Sequence, residues 1–221
     1  NTVALDGVSL AIATGSVHAL VGENGAGKST LGRIIAGVLQ PDTGQLLLRG
    51  GPVELRSPRQ ALAHGIAMVA QELALVPRLT VAQNVFLGIE PKRAMFTRPA
   101  ELMRRFEALA GEAGFDLPGA APVGSLPIAM QQQVEILRAL ARDAELLVLD
   151  EPTAALSGAE VAKLHDIVRT LSAAGRTVIL VSHFLGEVLE LADTVTILRD
   201  GRVVRTGPAA DETEASLVGG M

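Results

Sequence analysis

Apolar positions along the chain follow two different periods. Residues 16–21 form a short apolar run that ends in a cluster of glycines, and from 27 to about 39 the spacing turns helical, with Leu31, Ile34, Ile35 and Val38 on one stripe. Gly37 and the turn Pro41, Asp42, Thr43, Gly44 close that helix. Residues 3–12 alternate loosely and predict an antiparallel strand; 45–49 and 66–69 read as further strands. Between them, Ser57 followed by Pro58 is the N-cap and first-turn proline of a short helix. After Gln71 the texture changes: prolines at 77, 91, 99, 118, 122 and 127 punctuate helical segments, and no strand is expected until Leu146. Two apolar stripes lie there, Leu102, Phe106, Leu109, Ala113 and Met130, Val134, Leu137, Ala141. Strand and helix alternation then resumes with strands at 146–149 and 177–181, helices from Ser157 and at 185–191, and a hairpin around Asp200 and Gly201. Ser157 with Glu160 has the spacing of a capping box, and Gly175 ends that helix. The pattern describes an α/β domain, residues 1–75 and 143–221, interrupted by a helical subdomain at 76–142.

Length and composition narrow the picture. The 221 residues suit one well-buried domain or two small ones, and 48% hydrophobic with 19% charged residues leaves no case for disorder. The absence of cysteine excludes disulfides, thiolate metal sites and a cysteine nucleophile. The longest apolar runs are strand-sized, far short of the roughly 20 residues of a membrane-spanning helix. A net charge of −5 argues against broad binding to nucleic acid. No leader opens the chain, and a start at Asn1 suggests processing or excision from something longer.

Gly22, Glu23, Asn24, Gly25, Ala26, Gly27, Lys28 and Ser29, followed by Thr30, match the phosphate-loop pattern G-x-x-x-x-G-K-[ST] between an apolar strand and a helix. Such a loop wraps backbone N–H groups around a β-phosphate; Lys28 is expected to reach the β- and γ-phosphates and Ser29 to ligate Mg²⁺. Residues 146–149 form a strand ending in two carboxylates. Asp150 is expected to hold the Mg²⁺ shell, and Glu151 to polarise the water attacking the γ-phosphate. Gln71 and His183 each follow a strand, where ligands sit in open α/β sheets. Gln71 is placed to reach Mg²⁺ and the water, and His183 to hydrogen-bond the γ-phosphate and Glu151. His18, His64 and His165 have no such setting and read as structural.

Taken together, GENGAGKST, Gln71, LLVLDEPTAALS and His183 resemble, in order and spacing, the nucleotide-binding domain of an ABC transporter. Within that family, VAQELALVPRLTVAQNVFLG and QQQVEILRALARDAELLVLDEPTAAL are similar to the ATPases of bacterial monosaccharide importers. The resemblance implies a RecA-like P-loop NTPase core with an antiparallel β subdomain and an inserted α-helical subdomain. It also implies ATP and Mg²⁺ as ligands and a peripheral location at the cytoplasmic face of the membrane. The partners it implies are integral membrane permease subunits, a second nucleotide-binding domain in the same full-length chain and, indirectly, a periplasmic or extracellular binding protein. Coupling to the membrane subunits is expected around residues 72–88. The family's adenine-stacking aromatic would precede Leu5 and Asp6, where only Asn1 to Ala4 stand; that ring either lies upstream or base binding is weak.

The chain departs from the family at its signature L-S-G-G-Q, where Leu126, Pro127, Ile128, Ala129 and Met130 stand, in a register fixed by Gln131, Gln132 and Gln133. Pro127 offers neither hydroxyl nor N–H, and Ala129 adds a Cβ. Two consequences stay open: a defective half-site toward a partner domain's nucleotide, or local amides and the helix dipole that suffice. Two other functions share the phosphate loop. A soluble ABC ATPase acting on ribosomes or DNA calls for a basic or coiled-coil feature that is not visible, and a small P-loop kinase leaves Gln71, Glu151 and His183 without purpose.

Overall fold

The computed structural model describes residues 3–93 and 96–221. Its strands are β1 (Val17–Val21), β2 (Leu46–Leu48), β3 (Gly51–Val53), β4 (Ile66–Val69), β5 (Lys92–Arg93), β6 (Phe96–Thr97), β7 (Leu146–Asp150), β8 (Thr177–Val181), β9 (Thr194–Arg199) and β10 (Arg202–Pro208). The helices are α1 (Lys28–Ile35), α2 (Pro58–Ala63), α3 (Val81–Val85), α4 (Pro99–Glu112), α5 (Ile128–Leu140), α6 (Gly158–Ala173), α7 (Leu185–Leu191) and α8 (Glu214–Gly220).

A six-stranded sheet in the order β10-β9-β1-β8-β7-β4 is parallel except for the β9–β10 hairpin. Continuous apolar runs at β7 and β8, and a β1 broken only by His18, follow from cover on both faces. Leu20, Val148 and Ile179 pack with Leu31 and Ile35 of α1 on one face. Leu147, Leu149 and Val178 pack with Leu164, Val168 and Leu171 of α6 on the other. The expected capping devices form: Ser57 accepts from the Gln60 amide, and the Ser157 N–H donates to Glu160 at 2.8 Å. Residues 76–142 contribute α3, α4 and α5, whose Val81, Val85, Phe106, Val134 and Leu137 are buried together. Arg142 fastens the end of α5 to α3, donating to the Val85 carbonyl at 3.0 Å and also to the Leu87 carbonyl. No helix among the described residues is long and apolar enough to cross a membrane.

Two expectations need correcting. The alternation at 3–12 is not a strand: Leu5, Val8, Leu10 and Ile12 pack half-buried beside α1, but among the described residues no ladder partner lies alongside them. Asp6 N–H meets only the Gly201 carbonyl, and Gly7 turns the chain away with φ of 62°. The alternation reports one-sided packing without pairing. The antiparallel element that the resemblance implies does form, as the hairpin β2–β3, whose second strand contains Pro52 with no further strand beside it among the described residues. A two-residue pair, β5–β6, also interrupts the helical region before Leu146.

His18, in the middle strand β1, is 1% exposed. Its Nε2 is hydrogen-bonded to the Thr196 hydroxyl at 2.7 Å, which in turn is bonded to the Thr206 hydroxyl at 2.8 Å. A register shift between Val203 and Arg205 marks a bulge in β10 next to this chain of hydroxyls. Burial pushes the imidazole down from its ordinary 6.5 to about 4. The unfolded chain therefore takes up a proton first as the medium is acidified. The stability tied to the neutral ring is complete above the unfolded value and is lost as pH falls from about 6.5 to about 4. At pH 5 the loss is on the order of 2 kcal/mol. Urea midpoints measured at neutral pH and at pH 5 should fall for the natural protein and fall much less for His18→Gln; parallel curves would remove the imidazole as the cause.

Candidate functional site

The glycine-rich segment leaves the buried end of β1 and turns directly into α1. Gly22 has φ of 156°, and a Cβ there would lie 2.3 Å from the Leu198 carbonyl oxygen. The loop thus passes so close to β9 that only hydrogen fits. Gly25, with φ of 88°, faces open space at the outer bend, and Gly27 stands at the left-handed start of α1. No side chain caps α1 and no acidic residue lies in its first turn, so its leading N–H groups are free for an anion.

Lys28 is 5% exposed and folds back over the loop, donating to the carbonyls of Gly22 at 2.7 Å and Glu23 at 3.0 Å. Burial pushes its ammonium below the usual lysine range, opposed by the carboxylates of Glu151 and Asp150. Ser29 Oγ donates to Asp150 Oδ1 at 2.9 Å, tying α1 to the end of β7. The next residue, Glu151, has φ of 49°, and its N–H donates to the Val181 carbonyl at 2.9 Å. His183, two residues past β8, brings Nδ1 to 3.5 Å from Glu151 Oε1, with Phe184 tilted against its ring at 4.1 Å. Ala4, Asn24, Gly25, Gly27, Lys28, Ser29, Thr30 and Glu151 line a cleft of about 160 Å³.

The structure therefore brings Gly22, Glu23, Asn24, Gly25, Ala26, Gly27, Lys28, Ser29, Thr30, Asp150, Glu151 and His183 to one edge of the sheet. Gln71 is at the same edge, two residues beyond the Val69–Leu149 pair of β4 and β7, but it is exposed and hydrogen-bonded to none of the other described residues. Asn1 and Thr2, in the segment expected to hold a stacking ring, lie outside the described residues. A larger recess of about 430 Å³ lies at the opposite ends of β4 and β7, beside the Arg49–Glu145 ion pair, and contains none of the phosphate-loop residues.

Leu126–Met130 sits where the expectation placed it, at the start of a helix. Pro127 is the N-cap of α5 and provides no side-chain bond, so the N–H groups of Ile128, Ala129 and Met130 emerge uncapped. Ile128 is 41% exposed. Sequence reasoning missed Gln132, whose Nε2 donates to the Pro152 carbonyl at 2.7 Å. The available signal was its position four residues before Ile136, which puts an amide on the buried face of α5.

The sequence pattern of the ABC transporter family matches residues 5–154. The chain belongs to the ABC transporter family. An ATP-binding protein for ribose/galactose/methyl galactoside import from Burkholderia cenocepacia is 46% identical over 99% of this chain and 43% of its own length. A ribose import ATP-binding protein from Rubrobacter xylanophilus is 44% identical over 98% of this chain and 44% of its own. The chain thus spans less than half the length of these ABC relatives. The ATP-binding cassette MJ0796, solved as a dimer in a post-hydrolysis state with ADP and Pi, superposes with a TM-score of 0.77 at 27% identity, covering 93% of this chain and 90% of its own.

The two loop glycines separate strain from clash. Gly25→Ala should cost about 1–2 kcal/mol in chemical denaturation, the penalty for a left-handed alanine. Gly22→Ala should cost clearly more, because the β9 carbonyl must also move; equal losses would show that the approach of the loop to Leu198 is not tight.

Proposed function

We propose that this chain is an ATP-hydrolysing domain that energises a membrane importer, for a simple sugar, from the cytoplasmic face of the membrane. The observation that carries this reading is the meeting at one sheet edge of an uncapped helix start with its buried lysine and a carboxylate–imidazole pair: an anion cradle beside a base. The amides of α1 and the Lys28 ammonium bind the triphosphate and take up charge as it moves onto the β-phosphate. Glu151 accepts a proton from the water whose oxygen attacks the γ-phosphorus. As that bond forms, the bond to the bridging oxygen breaks, its electron pair stays with ADP, and phosphate leaves. His183 holds the Glu151 carboxylate and lies beside the γ-phosphate.

Ser29 and Asp150 offer a hydroxyl and a carboxylate 2.9 Å apart, and Gln71 an amide oxygen at the same edge, an all-oxygen set that suits a hard cation such as Mg²⁺. When bound, that ion neutralises phosphate charge.

The 160 Å³ cleft is small against the roughly 300–1,000 Å³ of sites that enclose a ligand. The missing wall belongs to a second nucleotide-binding domain, supplied by the same full-length chain; a relative that is dimeric with ADP and Pi supports the pairing. Reciprocally, the start of α5 faces the partner's nucleotide. Its amides keep their pull on phosphate, but Pro127 has lost a hydroxyl bond to a charged group, worth about 1.5–3 kcal/mol. The two half-sites are accordingly unequal. In this reading residues 1–75 and 143–221 are the catalytic core, residues 76–142 the helical subdomain, and 72–88 the surface that meets the permease subunits. A periplasmic or extracellular binding protein delivers the substrate to those subunits. The names of the relatives support the sugar.

In the natural full-length protein, Glu151→Gln should lower ATP turnover by about 10²-fold or more while leaving ATP binding intact, whereas Lys28→Ala should lose the binding itself. Turnover unaffected by Glu151→Gln would refute the assignment of the base. Pro127→Ser with Ala129→Gly should raise turnover by about tenfold or more; an unchanged rate would mean that the helix amides alone suffice.

A further inference from the structure

The peptide that carries Glu151 is held from two directions. Its φ of 49° lies in a region that a residue with a Cβ adopts only under constraint. On one side the Glu151 N–H donates to Val181 of β8 at 2.9 Å. On the other, Gln132 of α5 donates to the Pro152 carbonyl at 2.7 Å. Pro152 has no N–H of its own, so that carbonyl is the handle by which α5 can grip the turn.

Packing alone does not account for a glutamine here. Gln132 is 8% exposed and its Oε1 has no hydrogen-bond partner among the described residues. A leucine of similar size would fill the space without an orphaned oxygen. What the amide adds is the bond to Pro152.

We propose that Gln132 is a positioning residue for hydrolysis, bracing the Glu151 carboxylate and linking it to the leading end of α5. The helix begins at Ile128, four residues before Gln132, so a shift of its start, on meeting a partner's nucleotide, carries the grip with it. A contact made at Leu126–Met130 is thereby felt at the carboxylate of the chain's own site. This inference rests on the ATPase reading above.

The test uses the natural full-length protein with Gln132→Leu, Gln132→Glu and Glu151→Gln. Gln132→Leu should lower kcat by about 10- to 100-fold, with KM for ATP within about twofold, the mark of a displaced base rather than lost binding. In Gln132→Glu the ionised side chain has no proton to donate to Pro152, so activity should be low near pH 8 and recover relative to the natural protein toward pH 6, because burial at this position raises the carboxyl above its ordinary range and lets it regain a proton. A role in stability alone would move kcat, KM and Tm together, without that recovery. A kcat within about twofold of the natural value in Gln132→Leu, or no recovery in Gln132→Glu, overturns the proposal. Should the natural protein hydrolyse no ATP and match Glu151→Gln, the ATPase reading fails. Hydrogen exchange at the Glu151 and Ala154 amides then decides the brace separately: faster exchange in Gln132→Leu sustains it, and unchanged exchange overturns it.

Discussion

Parallel pairing of β1, β8, β7 and β4 is the constraint on which the site depends. Because these strands run in one direction, the residues that follow each of them arrive at one rim of the sheet, within a few residues of its edge. Reversing β7 alone would carry Asp150 and Glu151 to the far rim, about 16 Å away for a five-residue strand. Helical crossovers that cover both faces make the parallel arrangement stable, and they explain why β7 and β8 carry unbroken apolar runs.

On that rim the charges are sorted by the backbone. Helix starts bring positive partial charge at α1, and strand ends bring carboxylates at β7, with Lys28 buried between them. The same device recurs at α5, where Pro127 leaves three amides uncapped. One helix start belongs to the chain's own cleft. The other stands apart from that cleft, with Ile128 exposed at its first position.

Most of this was legible in the sequence because it depends on local rules. The phosphate loop is a short motif whose glycines answer close approach, as at Gly22, and the runs of β7 and β8 lead into the carboxylates and the imidazole that the sequence places there. Three things were not legible. The alternation at 3–12 looked like a strand because one-sided packing and ladder pairing impose the same period of two. The hairpin β2–β3 rested on a second strand of three residues, too short for any period. Gln132 stood in a run of three glutamines, and the hydrogen bond that singles it out runs to the Pro152 carbonyl twenty residues away. Contacts of that kind exist only once the chain is folded.

The bulge in β10 has a meaning of its own. Arg202 opposes Arg199 and Val203 opposes Leu198, so uninterrupted pairing would set Arg205 across from Thr196. The extra residue advances the ladder by one and sets Thr206 there instead, completing the hydroxyl chain to His18, while Arg205 reaches Glu212 at the surface. Had the hairpin closed without it, a guanidinium would stand opposite a fully buried threonine and the imidazole's partner would lose its neighbour. A single inserted residue at the sheet's edge thus serves as a proofreading mark for strand alignment at its centre.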